Sequence, residues 1–430
     1  MITKFHNKLI NLSSILFVLI PLSLISGPFI PDLSLVIITI NFILLTIINK
    51  NYKIFNSKFL IFFLLFCLMI TIVSFFSLNT SSIQSGLFYF RFGLFSLAGY
   101  ILIEKKDLLN CILYLLLFIY LMLFIDSIYQ YNFSENLLGF KYINPGNFRI
   151  TSFFGKDEIL GSYSVRLLPL TFFLIIFIFD KSIIKKRILF ISLFIISSVI
   201  ILISGERTSL ALLFLLMLFL FMSSFSLRKL LIFPIIVSLI IFIVVISKSD
   251  KIKNRMIYTT INQLGLSEKS ERLVLFSKTY EGHYLIALNM FKEKPIFGHG
   301  VKMFRFYCSK EENFVADNAC TTHPHNFYAQ ILAETGLVGF LFLITVFFYI
   351  LFLFLKNLYF QFRYKKQFIS DLGLCLLSSY FITFFPILPS GNFFNNWLSI
   401  IIYYPLGFLI YTIKNNKFYV RKNSTTLYNN

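Results

Sequence analysis

Apolar residues run along this chain in long unbroken stretches. Residues 60–78 read LIFFLLFCLMITIVSFFSL, with no period-two alternation and no polar face. That pattern excludes half-buried strands and a surface helix, and its length suits a helix surrounded by lipid. Lipid offers the backbone no hydrogen-bond partners, so each crossing segment must be helical or part of a closed barrel. Twelve such stretches are found: 9–29, 32–49, 59–78, 84–103, 108–129, 159–179, 187–204, 208–225, 230–247, 337–355, 370–388 and 393–413. Pro28 and Pro31 divide the first two, and Pro389 to Asn392 divides the last two. The prediction is an all-α polytopic membrane protein with about twelve transmembrane helices. It divides into membrane helices over 1–247, one large loop over 248–336, further membrane helices over 337–413 and a tail over 414–430. The first stretch follows Lys4 and Lys8 but is long and lacks a small-residue cleavage site, so it reads as a retained helix.

Composition supports a lipid setting. Hydrophobic residues make up 57% of the chain and charged residues 13%, more apolar surface than a water-soluble core can hide. The net charge of +20 raises the question of nucleic acid, but the basic residues form no single patch. They gather at alternate ends of the stretches: Lys50, Lys53 and Lys58; Lys105 and Lys106; Lys181, Lys185, Lys186 and Arg187; Arg228 and Lys229; Lys356, Arg363, Lys365 and Lys366; Lys414, Lys417, Arg421 and Lys422. The short loops 79–83 and 389–392 hold no Lys or Arg. This is the positive-inside pattern, which predicts cytoplasmic termini and places 130–158 and 248–336 outside. No nucleic-acid partner is expected. P-loop, GxGxxG, HExxH and CxxC motifs are absent from the sequence, so direct use of ATP, a dinucleotide or zinc is not indicated, and no cofactor is expected.

The polar chemistry concentrates in the large loop. EGHYLIALNMFKEKP (281–295) spaces Tyr284, Leu288 and Phe291 as one helical face, which suits a helix lying on the membrane or capping the spans. HPHNFYAQILAETGLVG (323–339) holds two of the five histidines. Pro324 disfavours helix at His323, FYAQILAE is helical in pattern, and Gly336 breaks it ahead of the next apolar run. His325 then stands at a helix start, with Gln330 and Glu334 sharing a face one turn apart. Its reading as a general base competes with that of a capping or loop histidine. Metal ligation by His323 and His325 is the weakest option, since no carboxylate set accompanies them. Cys308 and Cys320 both fall in this loop; they either pair in an oxidising compartment or stay free thiols.

Four arginines lie in or beside apolar stretches: Arg91, Arg149, Arg166 and Arg207. A charge near the bilayer centre costs about 2.5–3.5 kcal/mol on insertion scales, so such a residue faces a cavity or a counter-ion. A guanidinium fork donates in pairs and suits a diphosphate. The competing reading pairs them with Asp126 or Glu206.

SGERTSLALL, NMFKEKPIFGHGVKMF and HPHNFYAQILAETGLVGFLFL together resemble the O-antigen ligase/polymerase superfamily. FIDSIYQYNFSENLLG, RITSFFGKDEILGSY and PSGNFFNNWLS fit as well, although many members carry asparagines where this chain has GKDEILG. The likeness runs from about Ile125 to Leu409. It implies a C-type helical glycosyltransferase of the bacterial inner membrane. Such an enzyme moves a glycan from undecaprenyl diphosphate to an acceptor at the periplasmic face, inverting the anomeric centre without a metal. Carried over, the motif histidine is His325, and Arg207 holds the diphosphate, with Arg149 and Arg91 in similar places. Asn326, Glu334 and His323 would support the site. The acceptor is a sugar hydroxyl of lipid A–core in a ligase, a second carrier-linked glycan in a polymerase, or a protein hydroxyl in an O-oligosaccharyltransferase. The ligase reading leads. A lipid-linked-glycan flippase is the non-enzyme alternative, disfavoured because no internal repeat is visible.

Overall fold

Each of the twelve stretches folds as a helix in the computed structural model. The structure describes residues 2–105, 107–141, 148–264, 266, 277–313, 315 and 319–420. Lys106, Arg421 and Lys422, counted above among the basic clusters, lie outside the described residues, as do parts of both loops and the end of the tail. The membrane helices are α1 (Ile2–Ser23), α2 (Phe29–Ile48), α3 (Lys58–Phe76), α4 (Thr80–Lys105), α5 (Leu109–Phe133), α6 (Leu160–Ile178), α7 (Ile183–Ile203), α8 (Arg207–Ser223) and α9 (Phe225–Lys248). The loop contributes α10 (Lys278–Glu293). The set is completed by α11 (Phe327–Tyr364), α12 (Asp371–Thr383) and α13 (Asn396–Lys414). Ten are long and apolar enough to cross a membrane; α8 and α12 are shorter apolar helices. No β-strand is found among the described residues, only isolated bridges such as Ile369–Tyr419.

Helix α6 runs through the centre, and nearly all its side chains are buried. Helix α9 lies at the edge, with Leu227, Leu231 and Pro234 as its only buried residues. Helices α4 and α13 meet backbone to backbone. A Cβ on Gly407 would lie 3.1 Å from the Ser96 carbonyl, and one on Gly99 would collide with the Phe17 ring. Small residues permit such approach in lipid, where dispersion and hydrogen bonds replace the hydrophobic drive. Ser96 Oγ uses the contact to donate to the Tyr403 carbonyl at 2.8 Å.

Successive helices alternate in direction. One face therefore gathers residues 24–28, 77–79, 204–206 and 384–395, with the described parts of the 134–159 and 249–326 loops. Trp397 Nε1 donates to the Leu24 carbonyl there at 2.8 Å, and Asn396 Nδ2 to Asp32 at 3.1 Å. The opposite face is tied by Asp371, which accepts from Ser224 Oγ at 2.6 Å, and by Asn357 Nδ2, which donates to the Ser223 carbonyl at 2.7 Å.

Helix α12 stops at Thr383, earlier than the predicted 388. Segment 384–395 continues as irregular backbone, and α11 satisfies its polar groups. Tyr328 Oη donates to the Phe384 carbonyl at 2.6 Å, Asn326 Nδ2 to the Pro386 carbonyl at 2.8 Å, and Phe393 N to Gln330 Oε1 at 2.8 Å. Irregular backbone at membrane depth is tolerated only when protein supplies its partners.

Candidate functional site

Helix α11 begins at Phe327, two residues after His325. Asn326 is its cap: Oδ1 accepts the N–H of Tyr328 at 2.9 Å and of Ala329 at 3.1 Å. Such a cap is worth about 1 kcal/mol. His325 precedes it with φ 53°, a left-handed backbone that a β-substituted residue adopts at a cost. The Ser390 N–H donates to the His325 carbonyl at 2.8 Å and holds that conformation.

Gly336 divides α11 as the sequence predicts, with φ 65° and ψ −164° inside the continuous helix. The interrupted backbone is clasped by the GHG loop. Leu337 N donates to the Pro295 carbonyl at 2.8 Å, while Gly300 N returns to the Glu334 carbonyl at 2.8 Å. The fully buried Glu334 carboxylate accepts the N–H groups of Lys302 and Phe304 and the Gln330 amide. It is an architectural group that fixes the loop against the first turns of α11.

Helix α10 packs on those turns. Its buried face consists of His283, Ile286, Ala287 and Met290, which meet Ala333, Phe304 and Ala319 in a small cluster separate from the main core. This corrects the predicted face: Leu288 is 40% exposed, and Tyr284 and Phe291 are only half-buried. The packed face is rotated because Gly282 admits Ala319, whose Cβ would sit 2.7 Å from a Cβ there. The Cys308–Cys320 disulfide closes the same cluster.

Three imidazoles meet where α10 crosses the HPHN turn. Ring centroids are 4.1 Å apart for His323 and His325, and 5.3 Å for His283 and His325. Burial, then the neighbouring His283, pushes His325 down to about 4. Burial and the adjacent imidazoles push His323 down to about 3. Both are neutral at pH 7. Buried His323 Nε2 has no partner among the described residues. No group of three His, Cys, Asp or Glu side chains among the described residues has metal-ligating geometry.

Tyr280, one turn before His283, links these rings to the arginines. Its ring stands edge-on to His325 at 5.8 Å. Tyr280 is also within electrostatic range of Arg207 and Arg255, and Arg149 is within range of both. Arg207 starts α8 and donates to Thr260 Oγ1 at 3.3 Å. Arg149 pairs with Glu158 at 2.8 Å. Arg255 donates from Nε to the Gly205 carbonyl at 3.2 Å. Burial and the two other guanidiniums push Arg255 down to about 10. Gly205 is required here: its φ is 70°, and a Cβ would meet the Phe148 carbonyl at 2.7 Å.

The remaining predicted residues fall elsewhere. Arg91 pairs with Asp32 at 2.8 Å. Arg166 is buried and donates to Ser162 and Thr383 hydroxyls. Neither takes Asp126 or Glu206 as an ion-pair partner at contact distance. Glu206 accepts the N–H groups of Gly161 and Ser162 at the start of α6, and Asp126 accepts from Leu137 N and Ser152 Oγ. Sequence reasoning missed Tyr280, His283 and Arg255. A histidine inside EGHYLIALNM was the available signal for His283; a lysine-rich setting hid Arg255.

The O-antigen ligase family model matches residues 192–344, about a third of the chain. The match spans Arg207, the large loop, His325 and Glu334, and it bears out the O-antigen ligase/polymerase resemblance there. No curated protein matches the chain.

Proposed function

We propose that this O-antigen ligase-type membrane protein transfers a glycan from a polyprenyl diphosphate carrier to a sugar hydroxyl, at the face bearing the large loop. The bacterial inner membrane is its setting, that face is periplasmic, and lipid A–core is the leading acceptor. The observation that carries the reading is the position of Tyr280, whose ring stands edge-on to His325 at 5.8 Å and which is within electrostatic range of Arg207 and Arg255. A neutral imidazole and a cluster of guanidiniums thus share one edge of the helical bundle.

The chemistry follows from the groups. Arg207, Arg255 and Arg149 bind the diphosphate and neutralise the charge that gathers on it as it leaves. The polyprenyl tail stays in lipid. His325 takes the proton of the acceptor hydroxyl as its oxygen bonds to the anomeric carbon and the carbon–phosphate oxygen bond breaks. Attack opposite the leaving group inverts that carbon. The donor is already activated, so ATP is not needed.

The test is direct. Purified protein is incubated with an undecaprenyl-diphosphate glycan and, in separate arms, lipid A–core, a second carrier-linked glycan or a hydroxyl-bearing peptide. Product analysis names the acceptor. Transfer in one arm that disappears with His325→Ala supports the reading; undiminished transfer by that variant overturns the base role. Carrier-linked glycan crossing liposomes with no transfer in any arm would indicate a flippase.

A further inference from the structure

We propose that His283 orients His325, accepting an N–H from its ring so that the other ring nitrogen stays bare toward the acceptor hydroxyl. This rests on the base role of His325 and adds a positioning residue to it.

The argument starts from the tautomer. His283 Nδ1 lies 2.6 Å from the Ala319 carbonyl, which only accepts, so Nδ1 carries the proton. A neutral imidazole then has its lone pair on Nε2. His283 is 2% exposed, so water offers that lone pair little. The His325 ring centre lies 5.3 Å away, tilted by 38°. The two rings share no hydrogen bond in this structure; at that separation, turning the His325 ring so that the nitrogens face each other brings them to about 3 Å, within hydrogen-bond reach. A base whose far nitrogen is held by a third group is a recurring arrangement for activating a hydroxyl.

The surroundings hold His283 rather than His325. Helix α10 fixes its Cα, and Gly282 brings Ala319 against the helix. The disulfide fixes Cys320, the next residue after Ala319. His325 sits in a turn, in a left-handed backbone, and needs an external partner to fix its ring. The other groups around it are Tyr280 on α10 and His323 on its own loop, with Arg305 facing His323. His283, Tyr280 and His323 all present rings to His325, and of them only His283 combines a buried side chain with a ring fixed by a backbone bond of its own.

Protons balance simply. The acceptor O–H proton moves to the bare nitrogen of His325 as the oxygen attacks. The His325 N–H toward His283 stays in place, so the imidazolium that forms is hydrogen-bonded at both ends until water takes the extra proton.

Two amide substitutions separate orientation from mere packing. In His283→Gln the amide end falls near the Nε2 position and its carbonyl accepts from His325. In His283→Asn the amide falls near Nδ1 and keeps only the Ala319 contact. The expected result is kcat within about threefold of wild type for Gln and about tenfold or more below it for Asn, with the donor KM unchanged in both. Asn equal to or better than Gln overturns the proposal. His325→Ala is measured alongside: full activity there breaks the base reading itself, whereas an inactive His325→Ala with an unaffected His283→Asn breaks only this inference. Nitrogen-15 histidine NMR of the wild type in detergent is independent of variant folding. It should show His283 protonated at Nδ1 with Nε2 accepting a hydrogen bond; Nε2 protonated or free of any bond overturns the proposal.

Discussion

The two carboxylate oxygens of Glu334 accept separate backbone N–H groups, Lys302 at 2.9 Å and Phe304 at 3.1 Å. A residue on the His-motif helix thereby fixes a loop some thirty positions earlier, and with it the floor under α10. Glu334→Ala should strand both donors in a buried place, at about 1–3 kcal/mol each. The midpoint of thermal unfolding in detergent should fall markedly, and Glu334→Gln, with one oxygen left, should fall less. A Glu334→Ala protein of wild-type thermal stability but no activity would assign the carboxylate to the chemistry instead.

Arg207 and Arg91 should behave as different kinds of residue. Arg207→Lys loses the paired donors, so transfer should drop by about tenfold or more while the protein stays folded. Arg91→Lys keeps a charge for Asp32 and should leave transfer within a few-fold. Donor titrations of both purified variants check this. Equal damage from both would put Arg91 in the diphosphate site after all.

Gly336 should not tolerate alanine. Its φ is 65°, and an added Cβ would lie 2.3 Å from the Ile296 carbonyl oxygen. Both backbone strain and that collision oppose the substitution, together on the order of 3 kcal/mol or more. Gly339, three residues on, is helical, and the nearest atoms to its added Cβ belong to the side chains of Thr335 and Met69. Expression and thermal stability of Gly336→Ala should therefore fall below those of Gly339→Ala.

The pH dependence should differ between free enzyme and donor complex. His325 works unprotonated, and burial holds it at about 4. In the free enzyme kcat/KM should fall only as pH drops through about 4. A bound diphosphate is anionic, favours the imidazolium and raises that value, so the acid limb of kcat should lie higher. The groups facing His325 are His283, Tyr280 and His323, with Arg305 behind His323. The same depression makes the fold acid-sensitive. The unfolded chain takes up protons first as pH falls below about 6.5, so stability declines from there down to about 4. Coincident acid limbs for kcat and kcat/KM would show that the donor's charge does not reach His325.

The Cys308–Cys320 bond closes a short loop within the cluster under α10. Replacing both cysteines by serine should cost roughly 2–3 kcal/mol by chain entropy. Mass spectrometry of the non-reduced peptides should find the two joined in protein taken from an oxidising compartment. Because the bond steadies Ala319, its loss should lower kcat more than the donor KM.

The sequence by itself determined the membrane helices. In lipid a long apolar run has no way to satisfy its backbone other than by coiling on itself, so 60–78 is helical whatever surrounds it. It also marked the local break at Gly336, which acts on its own chain neighbours, and it singled out His325 and Arg207 as candidates through short motifs. Only the tertiary structure decided which polar groups meet. Arg91 went to Asp32, and Glu206 and Asp126 went to backbone N–H groups, because burial leaves each charge to the partner the packing brings near. His283, Tyr280 and Arg255 joined the site through the rotation of α10 and the placement of 250–263, which no local pattern encodes. Helix periodicity records a face, but the neighbour that face meets is set by contacts distant in the chain.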